Sequence, residues 1–539
     1  MRRRLLLLAL AVALAALGAL VLRPGPRPSP LPPPYDRLEA ALAAGDLDAL
    51  AALARGPGYA AVVASRALAE SGEVEVERRL GYVERVVAAL GRRAYLWAAG
   101  IYERLGELDR AAGLYRELAG DERALSALER LARRGSREAV RALLRSGHPE
   151  AALRYARDPD ERGRALLALG RPGEALRLLS SPRERGLALL ALGRLAEAEA
   201  AFRRAGDRLM LGRVLLREGR LEEAVSALTA AGERGVWEAA GALEARDRAR
   251  ALGLYLELAR GGGELAGDAA YRAYVLARRL GDAAARREAR GLLGGGHAVL
   301  AGLSAGEVRV PPPPARPPGL GLVRDLAAAG RREWARGEAL LRAAGSRGEE
   351  RRAWAWVLDR LGATPDAARY GGEPLAHPTP YREEVFAAAR ENALDPWLLY
   401  AVIKVESAFD PRAVSPSGAK GLLQFTDATW RYVAGRLGEP PADPFDPRAA
   451  IRYGAFYLGE LLRRFGDVRL AVTAYNGGPG YVARGMERYR DFEDFWRFQP
   501  RDEPRRYLVK VLREWSVYRA LAGVPRREPG FLAELPGRR

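Results

Sequence analysis

Glycines set at near-regular intervals between amphipathic stretches constrain this chain more than any other feature. Gly106, Gly170, Gly193 and Gly219 each follow a Leu or Glu and precede a Glu or Arg. Each also leads into a segment such as Leu195-Ala196-Glu197-Ala198-Glu199-Ala200-Ala201-Phe202, where apolar residues recur at three and four positions. That period buries one face of an α-helix. Glycine admits the left-handed turn that closes one helix before the next begins, and alanine lets neighbouring helices approach closely. The wealth of Ala, Leu, Arg and Glu favours helix as well. A length of 539 residues exceeds what one core usually organises, so two or three domains are expected.

Gly170, Gly193 and Gly219 are 23 and 26 residues apart. The segments resemble tetratricopeptide-type helical hairpins, with a shorter spacing than that family's period. The expectation over 35–310 is a degenerate TPR-like α-solenoid. Such arrays present a broad curved surface, suited to protein partners or to a plain supporting role. Nothing there stands out as catalytic. Pro311 to Pro314, with Pro317 and Pro318, cannot be helix interior and read as a stiff connector. Two linker helices, around Leu320 to Ala344 and Glu349 to Leu361, complete the segment 311–376. A last domain over 377–524 and a tail over 525–539 follow.

The net charge of +19 is almost all arginine, scattered through the helices without an aromatic-rich patch. That distribution argues against a nucleic-acid site and fits solvated helix faces, or attraction to a polyanion such as anionic lipid or cell-wall polymer. The only lysines, Lys404, Lys420 and Lys510, lie near the C-terminal motifs. There is no Cys, which excludes disulfides, thiolate nucleophiles and a lipoprotein anchor. The histidines His148, His297 and His377 lack metal-ligand spacing, so neither a metal nor another cofactor is expected. Arg2 to Arg4 precede an apolar run from Leu5 to Leu22 and a Pro-rich stretch to Pro34. A basic start with an apolar run is a secretory signal, and this run is also long enough to anchor in a membrane. Residues 1–34 thus point to export, into the periplasm or cell envelope.

The clearest chemical signal begins at Asp395-Pro396-Trp397, a helix N-cap followed by proline in the first turn. On the helix that follows, Leu399, Val402, Ile403 and Glu406 share one face. Glu406 extends an apolar stripe, where burial should raise its pKa and keep it protonated, as a general acid requires. Gly418-Ala419-Lys420-Gly421-Leu422-Leu423-Gln424 offers tight turns and an amide suited to sugar hydroxyl or acetamido groups. Ala474-Tyr475-Asn476-Gly477-Gly478-Pro479-Gly480 ends a helix starting near Val468, and Glu503-Pro504-Arg505-Arg506-Tyr507 opens another.

In this order, Glu406-Ser407 and these three motifs resemble the soluble lytic murein transglycosylase family, over roughly Tyr381 to Leu521. The layout resembles its large members too, a helical superhelix before a lysozyme-like α-helical catalytic domain, giving an all-α protein. The resemblance implies peptidoglycan glycan strands as substrate and Glu406 as the sole catalytic carboxyl. It would protonate the bond between N-acetylmuramic acid and N-acetylglucosamine, then take a proton from the muramic C6 hydroxyl to leave a 1,6-anhydro product. It further implies that Leu423, Gln424, Tyr475, Asn476, Glu503 and Tyr507 border the glycan groove and that Ser407 helps position Glu406. Leu423 stands where Met is common and Gly477 where Ala is common, while Pro504 and Arg506 alter the last motif more.

Two other readings are weighed against this one. A hydrolytic muramidase on the same fold needs a second carboxylate across the bond, for which Asp410, Asp427, Asp443 and Asp446 are candidates. A cell-wall scaffold that only binds glycan would have no use for Glu406.

Overall fold

The computed structural model describes residues 30–118, 121–304, 308–415, 417–524 and 528–536. The expected export or anchor run, Leu5 to Leu22, lies outside the described residues. Among the described residues no helix is long and apolar enough to cross a membrane. Their regular structure is helical, as expected; strand-like pairing is confined to isolated bridges from Lys420 to Val414 and to Phe425.

The described residues fall into two compact units, each discontinuous in sequence. One draws on the described residues of 30–117, 310–378 and 528–536, the other on those of 118–309 and 379–524. The linear partition read from the sequence cuts across both. Local periodicity reports which face of a helix is buried but not which distant helix covers it.

In the first unit Tyr35, Leu38, Trp354, Leu358 and Phe531 share one core. The segment expected as connector and linker helices is packed structure here, with helices Leu320–Ala328, Arg332–Gly345 and Gly348–Arg360. The Pro-rich stretch before them is non-helical, as its fixed φ and missing N–H groups demand.

In the second unit the glycine punctuation has a repeated geometry. Gly170, Gly193 and Gly219 take φ of 72°, 74° and 78°. The next N–H turns back each time, Arg171 to Leu166, Arg194 to Leu189 and Arg220 to Leu215, at 2.9, 3.0 and 3.0 Å. This closure satisfies carbonyls that the helix end leaves over. A second glycine series, Gly163, Gly186 and Gly212, lies seven positions earlier in each repeat. A Cβ at these positions would come within 2.7 Å of Leu179, 2.7 Å of Phe202 and 2.5 Å of Leu228. Each missing side chain is thus the socket for an apolar residue in, or at the C-terminal end of, the next helix. Much of the arginine is matched on the surface, as in the forked pairs Arg171–Glu174, Arg194–Glu197 and Arg220–Glu223.

This packing continues without a break into the C-terminal helices. Trp237, Tyr255, Tyr271 and Leu276 of the array share one core with Leu399, Trp496, Leu508 and Val511.

Candidate active site

Asp395 starts the helix Pro396–Ser407 as expected, its Oδ1 accepting from the Trp397 N–H at 2.8 Å. Its other oxygen accepts from Trp515 Nε1 at 2.8 Å, which ties this helix to Asp502–Leu521. Leu399, Val402 and Ile403 are buried, and Glu406 follows them in the last turn, only partly exposed. The helix stops at Ala408 and Phe409, non-glycine residues with φ of 49° and 68°. Such conformations cost about 1–3 kcal/mol each and persist only where surrounding packing dictates them.

The Tyr507 hydroxyl donates to Glu406 Oε1 at 2.7 Å. Burial pushes the Glu406 carboxyl up to about 7, the neighbouring charge of Glu503 adds to this, and the Tyr507 hydrogen bond works against it. The carbonyl end of its own helix likewise disfavours negative charge there.

The Tyr507 ring lies parallel to that of Tyr475, centroids 6.4 Å apart and planes 1° apart. Tyr475 donates its hydroxyl to the Leu423 carbonyl at 3.0 Å. Burial drives both phenols well above their usual range, and the Glu406 charge acts in the same direction. Both stay protonated hydrogen-bond donors at neutral pH. A continuous path therefore joins Glu406, Tyr507, Tyr475 and the Leu423–Gln424 loop, residues drawn from four separate motifs.

That loop is held from within. Gln424 has φ of 51°, and its Nε2 donates to the Gly421 and Ala413 carbonyls at 2.9 and 3.1 Å. Its amide donors thus serve the loop, leaving the acceptor oxygen for a ligand. Gly421 is required, because a Cβ there would lie 2.1 Å from the Pro444 carbonyl oxygen. Asn476 is half-buried beside Tyr475, and its side chain has no hydrogen-bond partner among the described residues. Glu503 is exposed at the start of helix Asp502–Leu521.

Two expected site residues are placed differently. The Leu423 side chain is 1% exposed and packs over Gly454, so only its backbone faces the tyrosines. Ser407 Oγ donates to the Ile403 carbonyl at 3.2 Å and not to Glu406. Of the lysines, Lys404 pairs with Glu514, and Lys420 meets Asp427 Oδ1 at 2.8 Å.

Two of the departures in the later motifs meet in space. A Cβ on Gly477 would lie 3.1 Å from Pro504 Cγ and 3.0 Å from Tyr481, so the smaller residue makes room for the proline ring. Tyr457, not singled out from the sequence, forms an aromatic wall with Phe425 behind Tyr475, at 5.7 and 5.6 Å. An aromatic at helical spacing reads as core, and only the fold shows which ones back a site.

The candidate second carboxylates have other partners. Asp410, Asp443 and Asp446 accept from nearby backbone N–H groups, and Asp427 pairs with Lys420. Among the described residues no cluster of three or more His, Asp or Glu could hold a metal ion.

Residues 383–497 match the family described as "Transglycosylase SLT domain". The "Transglycosylase" of Enterobacteria phage PRD1 is 43% identical over 105 residues, covering 20% of this chain and 37% of that protein. "Membrane-bound lytic murein transglycosylase F" of Alcanivorax borkumensis is 36% identical over 124 residues, covering 22% of this chain and 25% of that protein. The chain therefore spans between a quarter and two-fifths of the length of these relatives. The crystal structure of the 70 kDa soluble lytic transglycosylase SLT70 from Escherichia coli aligns with a TM-score of 0.55 at 16% identity. It covers 91% of this chain and 96% of that one, a likeness of fold.

Proposed function

We propose that this chain is a peptidoglycan lytic transglycosylase acting between N-acetylmuramic acid and N-acetylglucosamine, with Glu406 as its one acid and base. The observation that carries the reading is the Glu406 carboxyl, buried enough to hold a proton near neutrality and hydrogen-bonded to Tyr507 at 2.7 Å. Its motifs lie inside the stretch that matches the transglycosylase family, apart from the Glu503–Tyr507 segment just beyond it.

Glu406 gives its proton to the glycosidic oxygen as the bond to muramic C1 breaks, and N-acetylglucosamine leaves with a free 4-hydroxyl. The carboxylate so formed faces the positive charge developing at C1. Tyr507 stabilises that carboxylate by the hydrogen bond it already makes, so little reorganisation is needed. Glu406 then removes the proton from the C6 hydroxyl, whose oxygen closes on C1. The proton lent is recovered and no water is consumed. Tyr475, Asn476 and the Gln424 oxygen supply polar contacts to the sugar, with Glu503 at the rim. The four aspartates weighed as a second carboxylate are engaged elsewhere and Glu503 is exposed at the rim, which favours the single-carboxylate route. Residues 1–34 would carry the enzyme to the cell envelope.

Mass spectrometry of purified peptidoglycan after digestion tests the proposal. Anhydro-muropeptides are expected, and Glu406→Gln should release almost none. Reducing ends would instead establish a muramidase, and undiminished release by Glu406→Gln would remove Glu406 from the chemistry.

A further inference from the structure

A buried charge network lies where the helical array meets the helix that carries Tyr507. Asp268 sits in the first turn of helix Ala266–Leu280 and is 5% exposed. Its Oδ1 meets His297 Nε2 at 2.7 Å, and its Oδ2 lies 3.1 Å from Arg505 Nε. Arg505 is 2% exposed, near the start of helix Asp502–Leu521. Its Nη2 donates to Asp502 Oδ1 at 3.1 Å, and Asp502 Oδ2 accepts from Arg234 Nη1 at 2.5 Å. The guanidinium also faces the rings of Trp237 and Trp496, at 4.9 and 5.6 Å. The other cation turned toward it, Arg497, is held by the Tyr255 hydroxyl and the Trp237 carbonyl at 2.5 and 2.6 Å.

The same helix is gripped on the far side of Tyr507. A Cβ on Gly296, in the short helix Gly295–Leu300, would lie 1.9 Å from the Val509 carbonyl oxygen. Tyr507 is therefore carried on a stretch of backbone fixed at Arg505 and at Val509, both times by residues of the array.

We infer that Asp268 is a positioning residue for the active site: by holding Arg505 it sets where Tyr507 meets Glu406. The inference rests on the functional reading above. A buried guanidinium that loses one of two carboxylates is drawn toward water, and it cannot move far without carrying the adjoining helical turn. The groups facing Glu406 are Tyr507, Glu503 and Tyr475. Of these only Tyr507 donates a hydrogen bond to it, and this bond opposes the upward push of burial. Weakening it must raise the pH at which Glu406 loses its proton.

The test is the pH dependence of kcat/KM on peptidoglycan for the full-length protein, with kcat, KM and Tm measured alongside. Asp268→Asn should lower kcat roughly tenfold or more with KM little changed. It should move the alkaline limb upward, in the direction of Tyr507→Phe. The double variant should shift no further than Tyr507→Phe alone, because both act through one hydrogen bond. Arg279→Gln removes pairs with Asp491 and Asp494 in the same unit. It should lower Tm and leave the limb in place. A limb unmoved in Asp268→Asn, or shifts that add in the double variant, would overturn the inference. If Asp268→Asn does not fold, His297→Gln keeps the Asp268–Arg505 pair but frees its outer anchor, and the same upward shift is expected. No product from the wild-type protein would overturn the functional reading itself, whereas an active wild type with an unmoved variant removes only Asp268.

Discussion

At the scale of single residues, the site exchanges stability for a proton. Glu406 has a pKa near 7 in the fold against about 4.3 in an unfolded chain. Between these values the folded state binds more protons than the unfolded one, so this residue's contribution to stability falls as pH rises. The penalty is absent below the lower value and complete above the upper one. Glu406→Gln, neutral throughout, should therefore be more stable than wild type at pH 8, by on the order of 4 kcal/mol at most. The advantage should shrink toward pH 4, as thermal melts across that range would register. Tyr507→Phe acts on the same equilibrium from the other side. It removes a hydrogen bond that favours the carboxylate, so the alkaline limb of kcat/KM should move upward and activity should fall.

At the scale of elements, the fold is built on two series of glycines with different tasks. Gly170, Gly193 and Gly219 turn the chain, and their role was legible because glycine after a periodic segment has one common use. Gly163, Gly186 and Gly212 sit inside helices, where glycine alone signals only a weak helix. Their purpose appears once Leu179, Phe202 and Leu228 are seen to fill the space they leave. Gly186→Ala should destabilise the protein by roughly 1–3 kcal/mol in chemical denaturation, despite the gain in helix propensity, because overpacking against Phe202 dominates. Helix Pro396–Ser407 was legible throughout, from Asp395 at its cap to the stripe ending in Glu406. The Glu503–Tyr507 motif is the one most altered by its departures, Pro504 and Arg506, yet Tyr507 makes the direct hydrogen bond to Glu406. Gly477 and Pro504, each a departure from the family pattern, lie against one another, which neither position reveals alone.

At the scale of the whole molecule, all-α architecture and the order of array and catalytic region could be read from periodicity and motif order. The partition into discontinuous units could not, since it depends on pairings such as Arg272 with Glu244 and Asp494, and Arg505 with Asp268. Two of these, Arg272–Asp494 and Arg505–Asp268, bury charge between helices more than 200 positions apart in sequence. Residues 377–524 produced alone would leave Arg497 and Arg505 without their partners from the array. Losing one partner of a buried pair costs about 3–5 kcal/mol, so that fragment should melt far below the full chain or aggregate. The central claim nonetheless concerns a single proton on Glu406. The most direct measurement is the titration of that carboxyl by carbon-13 NMR of the glutamate-labelled protein, with its resonance assigned by loss in Glu406→Gln. A midpoint near 7 is predicted. A midpoint in the ordinary glutamate range, about 4 to 5, would mean the group is already ionised at neutral pH and has no proton to give.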